Sequence, residues 1–367
     1  ADKGADKGAD KVPRGRLKHF PSMTPEAAKL LREKLASWFI ANGRALPWRA
    51  NPLPYAVLVS EFMLQQTQVA TVIPFFERWM EVFPDLQTLA VASESDVLRL
   101  WQGLGYYSRA RNLHKAAQQV LERFEGKIPS DSRDLRSLPG VGEYTAGAIA
   151  SFAYDRPAAA VDANIARVLA RLANQQAQVD TTEGARLLLE LAENLLPKGS
   201  GGRLHTSALM ELGALVCLPK KPKCLVCPIR SDCRAVDPET LPRKSPRKAT
   251  VFVEERAAWI ATDSAVLLEQ QVGNRSRGLW KFPVLLEPAP AGPLFETVYP
   301  FTHHKVTLRV YAGAVPEMLS ASQRWFAKRS ILDEAALPAG HRRALVALVG
   351  SDAASLEQGS SLEAGGI

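Results

Sequence analysis

Residues 138–142 read Leu138-Pro139-Gly140-Val141-Gly142, and Glu143 opens a stretch, 143–153, with helical periodicity. Two glycines this close let the chain turn sharply and approach a ligand, and the N–H groups at the next helix start are free to hold a phosphate. Alone, the pattern is equally an ordinary glycine turn. Between two helical patterns it predicts a helix-hairpin-helix, in which Leu138, Gly140, Val141 and Gly142 grip a DNA backbone without reading its sequence.

Working outward, the helical pattern runs from Thr24 to about Ala173. Leu31, Leu35, Trp38 and Phe39 fall on one face of a helix that Thr24-Pro25-Glu26 opens with an N-cap and a first-turn proline. Further helices are expected at about 54–70, 74–81, 94–102, 108–124, 143–153, 163–173 and 182–195. The first domain, 23–234, is therefore expected to be all-α. Residues 235–249, with Pro238, Pro242, Lys244, Pro246, Arg247 and Lys248, lack apolar periodicity and read as a linker. Beyond them short β-type runs appear, such as Ala257–Ile260, Ala265–Leu268 and Val306–Val315, and a smaller α+β domain fits 250–350. The Ala-Asp-Lys-Gly repeat within 1–22 and the small, polar stretch 351–367 read as flexible tails, too poor in apolar surface to offset their ordering entropy.

The chain has 367 residues, 46% of them hydrophobic and 23% charged, with 46 basic against 38 acidic side chains for a net charge of +8. That composition suits a soluble protein of about two domains. No apolar run approaches a membrane span, and the first residues lack the apolar core of a secretory signal, so the expected setting is cytoplasmic, with no membrane partner. The positive balance favours nucleic acid only weakly.

All four cysteines, Cys217, Cys224, Cys227 and Cys233, lie in one C-x6-C-x2-C-x5-C stretch. Disulfides in so large a chain would be scattered, whereas thiolates packed this tightly can surround one ion or cluster, which implies a reducing, intracellular environment. Structural zinc and an iron–sulfur cluster both use four cysteines, although zinc sites usually present two close pairs and here a single C-x2-C pair is flanked by longer gaps. Lys220, Lys221, Lys223 and Arg230 interleave the cysteines and would offer positive charge to phosphates.

Taken together, Leu138–Gly142, Asp162 and the cysteine stretch resemble the endonuclease III superfamily of base-excision glycosylases. Trp48-Arg49, the run Ser60–Thr67, Gly103–Arg109 and Met210–Ala214 are similar to its adenine-specific MutY branch. The resemblance is dense over about 40–235 and thinner beyond, where Gly278–Pro283 and Phe301-Thr302-His303 resemble that family's Nudix-like lesion-reading module without a complete Nudix catalytic motif. It implies a mainly α glycosylase domain with a [4Fe-4S] cluster on Cys217, Cys224, Cys227 and Cys233, plus a C-terminal α+β Nudix-like domain. It also implies a bacterial, DNA-associated monomer that hydrolyses the N-glycosidic bond of adenine opposite 8-oxoguanine or guanine in double-stranded DNA.

That reaction needs two carboxylates with different jobs, because the transition state carries positive charge on the sugar and the base must leave protonated. The match puts Glu61 and Asp162 there. Glu61, flanked by Phe62, Met63 and Leu64, would be kept protonated by burial, though an unselected helix glutamate is more often solvated. Asp162 also reads as a plain N-cap before Ala163; the cap would keep it ionised at a positive helix end, where it can stabilise the sugar cation. Tyr144 and Asn164 would orient the pair. Bifunctional relatives carry lysine where Tyr144 stands, which implies a monofunctional enzyme.

The resemblance further assigns Gln66 and Tyr106, with Leu64 and Thr67 nearby, to the wedge that fills the gap left by the flipped base. Trp48 and Arg49 match the adenine pocket. Thr302 and His303 would read 8-oxoguanine. The sequence departs from the pattern at Thr206-Ser207, where relatives usually carry Asn followed by Gln or Glu, the second of which bonds adenine. Ser207 is too short to do so directly. Altered base specificity is therefore one alternative, and a non-catalytic mismatch-binding protein, disfavoured by the presence of both carboxylates, is another.

Overall fold

The computed structural model describes residues 23–246, 249–273, 277–285 and 291–360, with side chains as far as Gly350. The expected tail 1–22, Arg247 and Lys248 of the expected linker, and 361–367 lie outside the described residues.

Helix α1 (Pro25–Asn42) starts where the Thr24 hydroxyl accepts the Ala27 N–H. It is followed by α2 (Pro47–Ala50), α3 (Pro54–Leu64), α4 (Val69–Val82), α5 (Leu86–Val91), α6 (Glu94–Leu100) and α7 (Ser108–Phe124). Then come α8 (Ser132–Arg136), α9 (Glu143–Phe152), α10 (Ala163–Leu172), α11 (Thr182–Asn194) and α12 (Gly202–Leu215). The single helix expected over 54–70 is instead two, because α3 stops at Leu64 and Gln66 turns the chain with a φ of 56°. The turn, Gln65-Gln66-Thr67-Gln68, has no glycine or proline to mark it and apolar residues resume at Val69, so periodicity alone runs past it.

Two apolar cores organise the helices. Phe62, Trp79, Trp101, Leu113 and Ile149 belong to one, and Leu31, Leu35, Leu169, Leu191 and Leu212 to the other. Burial of such side chains, about 1.5–3 kcal/mol each, is the driving term. Residues from both lobes line one large cleft, so the cleft is a consequence of having two cores.

The expected linker does not hang free. Leu241 is buried, Arg243 O accepts from Val179 N at 2.9 Å, and Asp180 accepts from Ser245 N, which pins this segment along the second lobe.

The C-terminal region is α+β. Strands β1 (Val251–Trp259), β2 (Ala265–Gln270), β3 (Trp280–Lys281), β4 (Phe295–Phe301), β5 (His304–Ala312) and β6 (Gln323–Ala327) form two three-stranded sheets, ordered β1-β5-β4 and β3-β2-β6. β1 runs parallel to β5, and β4 antiparallel to it, so that Phe301 pairs with His304 across the Thr302-His303 turn. Helices α13 (Ile331–Glu334) and α14 (Ala339–Ser360) follow, and Ala344 and Leu345 of α14 share a core with Leu308, Val310 and Phe326. The α14 backbone extends into the stretch from 351 that reads as a tail. Leu279 and Ala336 plug into the first helical core, and the two regions thereby pack against each other.

Candidate active site

The cleft has a volume of about 1290 Å³ and is lined by Trp48, Arg49, Glu61, Leu64, Gln66 and Thr67, with Gly140, Gly142, Tyr144, Asp162, Asn164 and Ser207. Twelve of the expected site residues therefore meet in one space, although they span 48–207 in sequence.

Glu61 sits on the third turn of α3, in a run that is buried from Ala56 to Met63. Its own exposure is 3%. Burial raises its pKa to about 7; the Tyr144 hydroxyl, which donates a hydrogen bond to it, opposes the rise, and the nearby Asp162 charge adds to it. Oε2 is buried with no partner among the described residues. Glu61 is thus a carboxyl that holds a proton near neutral pH and faces a cleft.

Asp162 is the N-cap of α10, and its Oδ1 accepts the Ile165 N–H at 2.7 Å. Asn164 Nδ2 donates to Oδ2 at 3.0 Å. Burial pushes the Asp162 pKa above the ordinary carboxylate value, against those two bonds and the charge of Arg167. The helix end therefore does less than the sequence suggests, because this carboxylate is more enclosed than a surface cap. Arg167 Nη2 donates to Asn164 Oδ1 at 2.9 Å and to Gly213 O at 2.7 Å, while its Nε donates to Cys217 O at 2.7 Å. A Cβ on Gly213 would come within 2.7 Å of Asn164 Cβ, so only glycine allows α12 this close to Asn164.

The far wall is built around Glu211, which is fully buried on α12. Its carboxylate takes Arg44 Nε at 2.5 Å and Arg49 Nη2 at 2.8 Å. Burial pushes Glu211 up, but the two guanidinium groups hold it below the usual range. Trp48 packs edge-on against Phe76 at 5.3 Å, fixing the apolar side of the wall. Ser207 lines the cleft, and the Thr206 hydroxyl is turned away to Ser151 at 2.8 Å.

Gln66 and Tyr106 take the left-handed conformation, at φ 56° and 47°. Their two loops are held together by Arg109, which donates to Phe62 O, Met63 O, Gln65 O and Thr67 Oγ1 on one side and to Leu104 O and Gly105 O on the other. Tyr106 does not line the cleft; it is 41% exposed beside it.

In the hairpin, Leu138 and Val141 are buried anchors, while Gly140, with φ 78°, and Gly142, the N-cap of α9, are exposed. Thr302 and His303 are exposed on the β4–β5 turn, outside the cleft, with the His303 and His304 rings 4.1 Å apart.

Cys217, Cys224, Cys227 and Cys233 are free thiols. Burial raises Cys227 to about 11, and the other three thiols raise it further, so the four share one neighbourhood. Among the described residues, no three His, Cys, Asp or Glu side chains converge as ligands of one metal ion. Arg171 donates to Cys217 Sγ at 3.3 Å and to Leu218 O at 2.7 Å. Four thiols in one neighbourhood, with the Arg171 cation against one of them, suit a thiolate-held anionic group.

Arg44, Arg109, Arg167 and Glu211 carry much of this architecture without having been singled out individually from the sequence. A signal was present: Arg167 and Arg171 interrupt the apolar face of α10 at core-facing spacing, and a buried arginine must find acceptors.

Residues 59–194 match the HhH-GPD superfamily of base excision DNA repair proteins. The chain is 36% identical over 366 residues to the adenine DNA glycosylase of Mus musculus, covering 78% of this chain and 71% of that protein. It is 40% identical over 202 residues to that of Mycolicibacterium smegmatis, covering 55% of this chain and 68% of the relative. Among solved structures, a thermostable thymine-DNA glycosylase superposes with a TM-score of 0.51 at 28% identity, over 56% of this chain and 94% of that one. With the buried Glu61 and the part-buried Asp162 in one cleft beside a helix-hairpin-helix, and with likeness of this extent, the chain belongs to the adenine DNA glycosylase family of base excision repair enzymes.

Proposed function

We propose that this glycosylase removes adenine mispaired with 8-oxoguanine or guanine in double-stranded DNA, acting as a monomer and leaving the strand intact. The observation that carries the reading is Glu61, buried and shifted to about 7, in the same cleft as Asp162.

Glu61 donates a proton to N7 of the extruded adenine, which makes it a leaving group, and then accepts one from the attacking water. Tyr144 fixes the Glu61 carboxyl by its hydrogen bond. Asp162, fixed by Asn164 and its own helix, stabilises the sugar cation through space or by a transient bond. Tyr144 has no amine with which to form a Schiff base, so the abasic product is not cut.

Trp48, Arg49 and Ser207 face the adenine, with Arg44 and Glu211 holding Arg49 in place. Gln66 and Tyr106, flanked by Leu64 and Thr67, fill the gap in the duplex, whose opening costs a few kcal/mol. Backbone groups of Leu138–Gly142 hold phosphate. Thr302 and His303, on what we read as a Nudix-like module, meet the Hoogsteen edge of 8-oxoguanine, where oxidation turns the N7 acceptor into a donor.

Cys217, Cys224, Cys227 and Cys233 would hold a [4Fe-4S] cluster, which when bound fixes their loop in one shape. The exposed Lys220, Lys221, Lys223 and Arg230 then stand in a fixed array towards DNA phosphates. No helix among the described residues is long and apolar enough to cross a membrane.

A second reading, altered base choice, has its own observation in Ser207, whose short side chain stands where relatives carry a longer base-bonding one. Duplexes with single defined mispairs decide. Alkali-labile sites at adenine opposite 8-oxoguanine and guanine alone, with no nick before alkali, support the first reading. Sites at another base support the second, and strand scission without alkali removes monofunctionality.

A further inference from the structure

Tyr107 follows the exposed Tyr106 directly, yet it is buried, and its hydroxyl reaches out of the helical region to Leu337 O at 3.0 Å. The same oxygen accepts a hydrogen bond from the Gly103 backbone N–H. One hydroxyl therefore bridges two structures.

On one side, Gly103 opens the 103–106 loop with a φ of 111°, and a Cβ there would meet the Phe75 ring at 2.9 Å. The loop is thus tightly seated, and Arg109 holds its Leu104 and Gly105 carbonyls. On the other side, Leu337 is buried in the core of the C-terminal unit beside Leu308 and Val310 of β5, the strand that leaves the Thr302-His303 turn. The preceding residue, Ala336, inserts into the first helical core and accepts from Trp280 N at 2.9 Å. The seam between the units has a second polar contact, Arg111 Nη1 to Arg277 O at 2.7 Å, which does not touch the 103–106 loop.

We propose that the Tyr107 hydroxyl is a positioning group that couples the C-terminal unit to the wedge loop, so that engagement of the opposite base at Thr302-His303 is felt at Tyr106. The inference rests on the wedge and lesion-reading roles proposed above. Phenylalanine would keep the ring packing and delete only the two hydrogen bonds.

The test is single-turnover excision by the full chain on 8-oxoguanine:A and G:A duplexes, with melting curves recorded for each protein. Tyr107→Phe should lower the preference for 8-oxoguanine:A by about three- to tenfold, the size of one or two lost hydrogen bonds, with the G:A rate within about twofold of the parent. Arg111→Met, which loosens the seam without touching the loop, should change the preference by less than about twofold. An unchanged preference in Tyr107→Phe overturns the proposal, as does an equal fall in both rates. So does an Arg111→Met variant that loses as much preference, even if Tyr107→Phe cannot be purified folded. A parent without preference for 8-oxoguanine:A removes the lesion-reading proposal itself, and this inference with it.

Discussion

Tyr144 donates a hydrogen bond to Glu61, while Oε2 of the same carboxyl is buried with no partner among the described residues. A carboxyl so placed is poorly hydrated, and it carries a proton that a substrate nitrogen could take.

The raised pKa of Glu61 has a stability consequence with a definite sign. In the unfolded chain this carboxyl titrates near about 4.3, and in the fold at about 7, so the native state holds the proton more tightly. The stability it contributes is complete below the unfolded value and is lost as pH rises through the folded one. Glu61→Gln should therefore be more stable than the parent at pH 8, by about 3–4 kcal/mol, with the gap closing near pH 4. Urea melts at the two pH values check this. The same variant should lose at least about 100-fold in single-turnover excision. A variant as fast as the parent would remove Glu61 from the acid role.

Asp162→Asn separates a cap from a catalyst. Asparagine caps helices about as well as aspartate, so the Ile165 N–H should stay satisfied; the amide nitrogen cannot accept from Asn164 Nδ2, and the loss of that one bond should cost no more than about 1 kcal/mol of stability. The negative charge is gone, however, and excision should fall by about 100- to 1000-fold. If activity survives with the cap, Asp162 is structural only.

The parts legible in the sequence were those with local signals. Thr24-Pro25 placed the first helix start, and Leu138–Gly142 placed the hairpin, because capping and glycine chemistry act within a few residues. The two carboxylates and their partners were reached only through resemblance; nothing local says that Tyr144 meets Glu61, 83 positions away, or that Arg49 meets Glu211. The break between α3 and α4 was missed because Arg109, distant in sequence, stabilises the Gln66 turn from outside. Strand β4 carries Pro300 and puts the apolar Val298 on its exposed face, so its sequence lacks a clean apolar–polar alternation and does not reveal the pairing with β5.

Arg109 is a buried cation whose six acceptors are five main-chain carbonyls, Phe62, Met63, Gln65, Leu104 and Gly105, and the Thr67 hydroxyl. Burial lowers its pKa to about 10, so it remains charged at neutral pH. Lysine has three donors on one atom and cannot span both loops. Arg109→Lys should cost about 2 kcal/mol and Arg109→Met about 3 kcal/mol in urea unfolding. Variants within about 0.5 kcal/mol of the parent would show that the two loops hold their turns unaided.

Ser207 tests whether selectivity for adenine comes from one long side chain or from the wall as a whole. It lies on α12 one turn before Glu211, whose two arginines are already fixed at the cleft, so restoring length at 207 leaves that wall intact. A glutamine amide there can both donate to and accept from an adenine edge, where the serine hydroxyl reaches only through water. If base contact at 207 limits discrimination, Ser207→Gln should raise the ratio of adenine to cytosine excision by about tenfold, the value of one buried hydrogen bond. The ratio, taken from single-turnover rates on matched duplexes, cancels effects on DNA binding. An unchanged ratio would place adenine selection in Trp48, Arg49 and the protonation step at Glu61, since cytosine has no N7 to receive that proton.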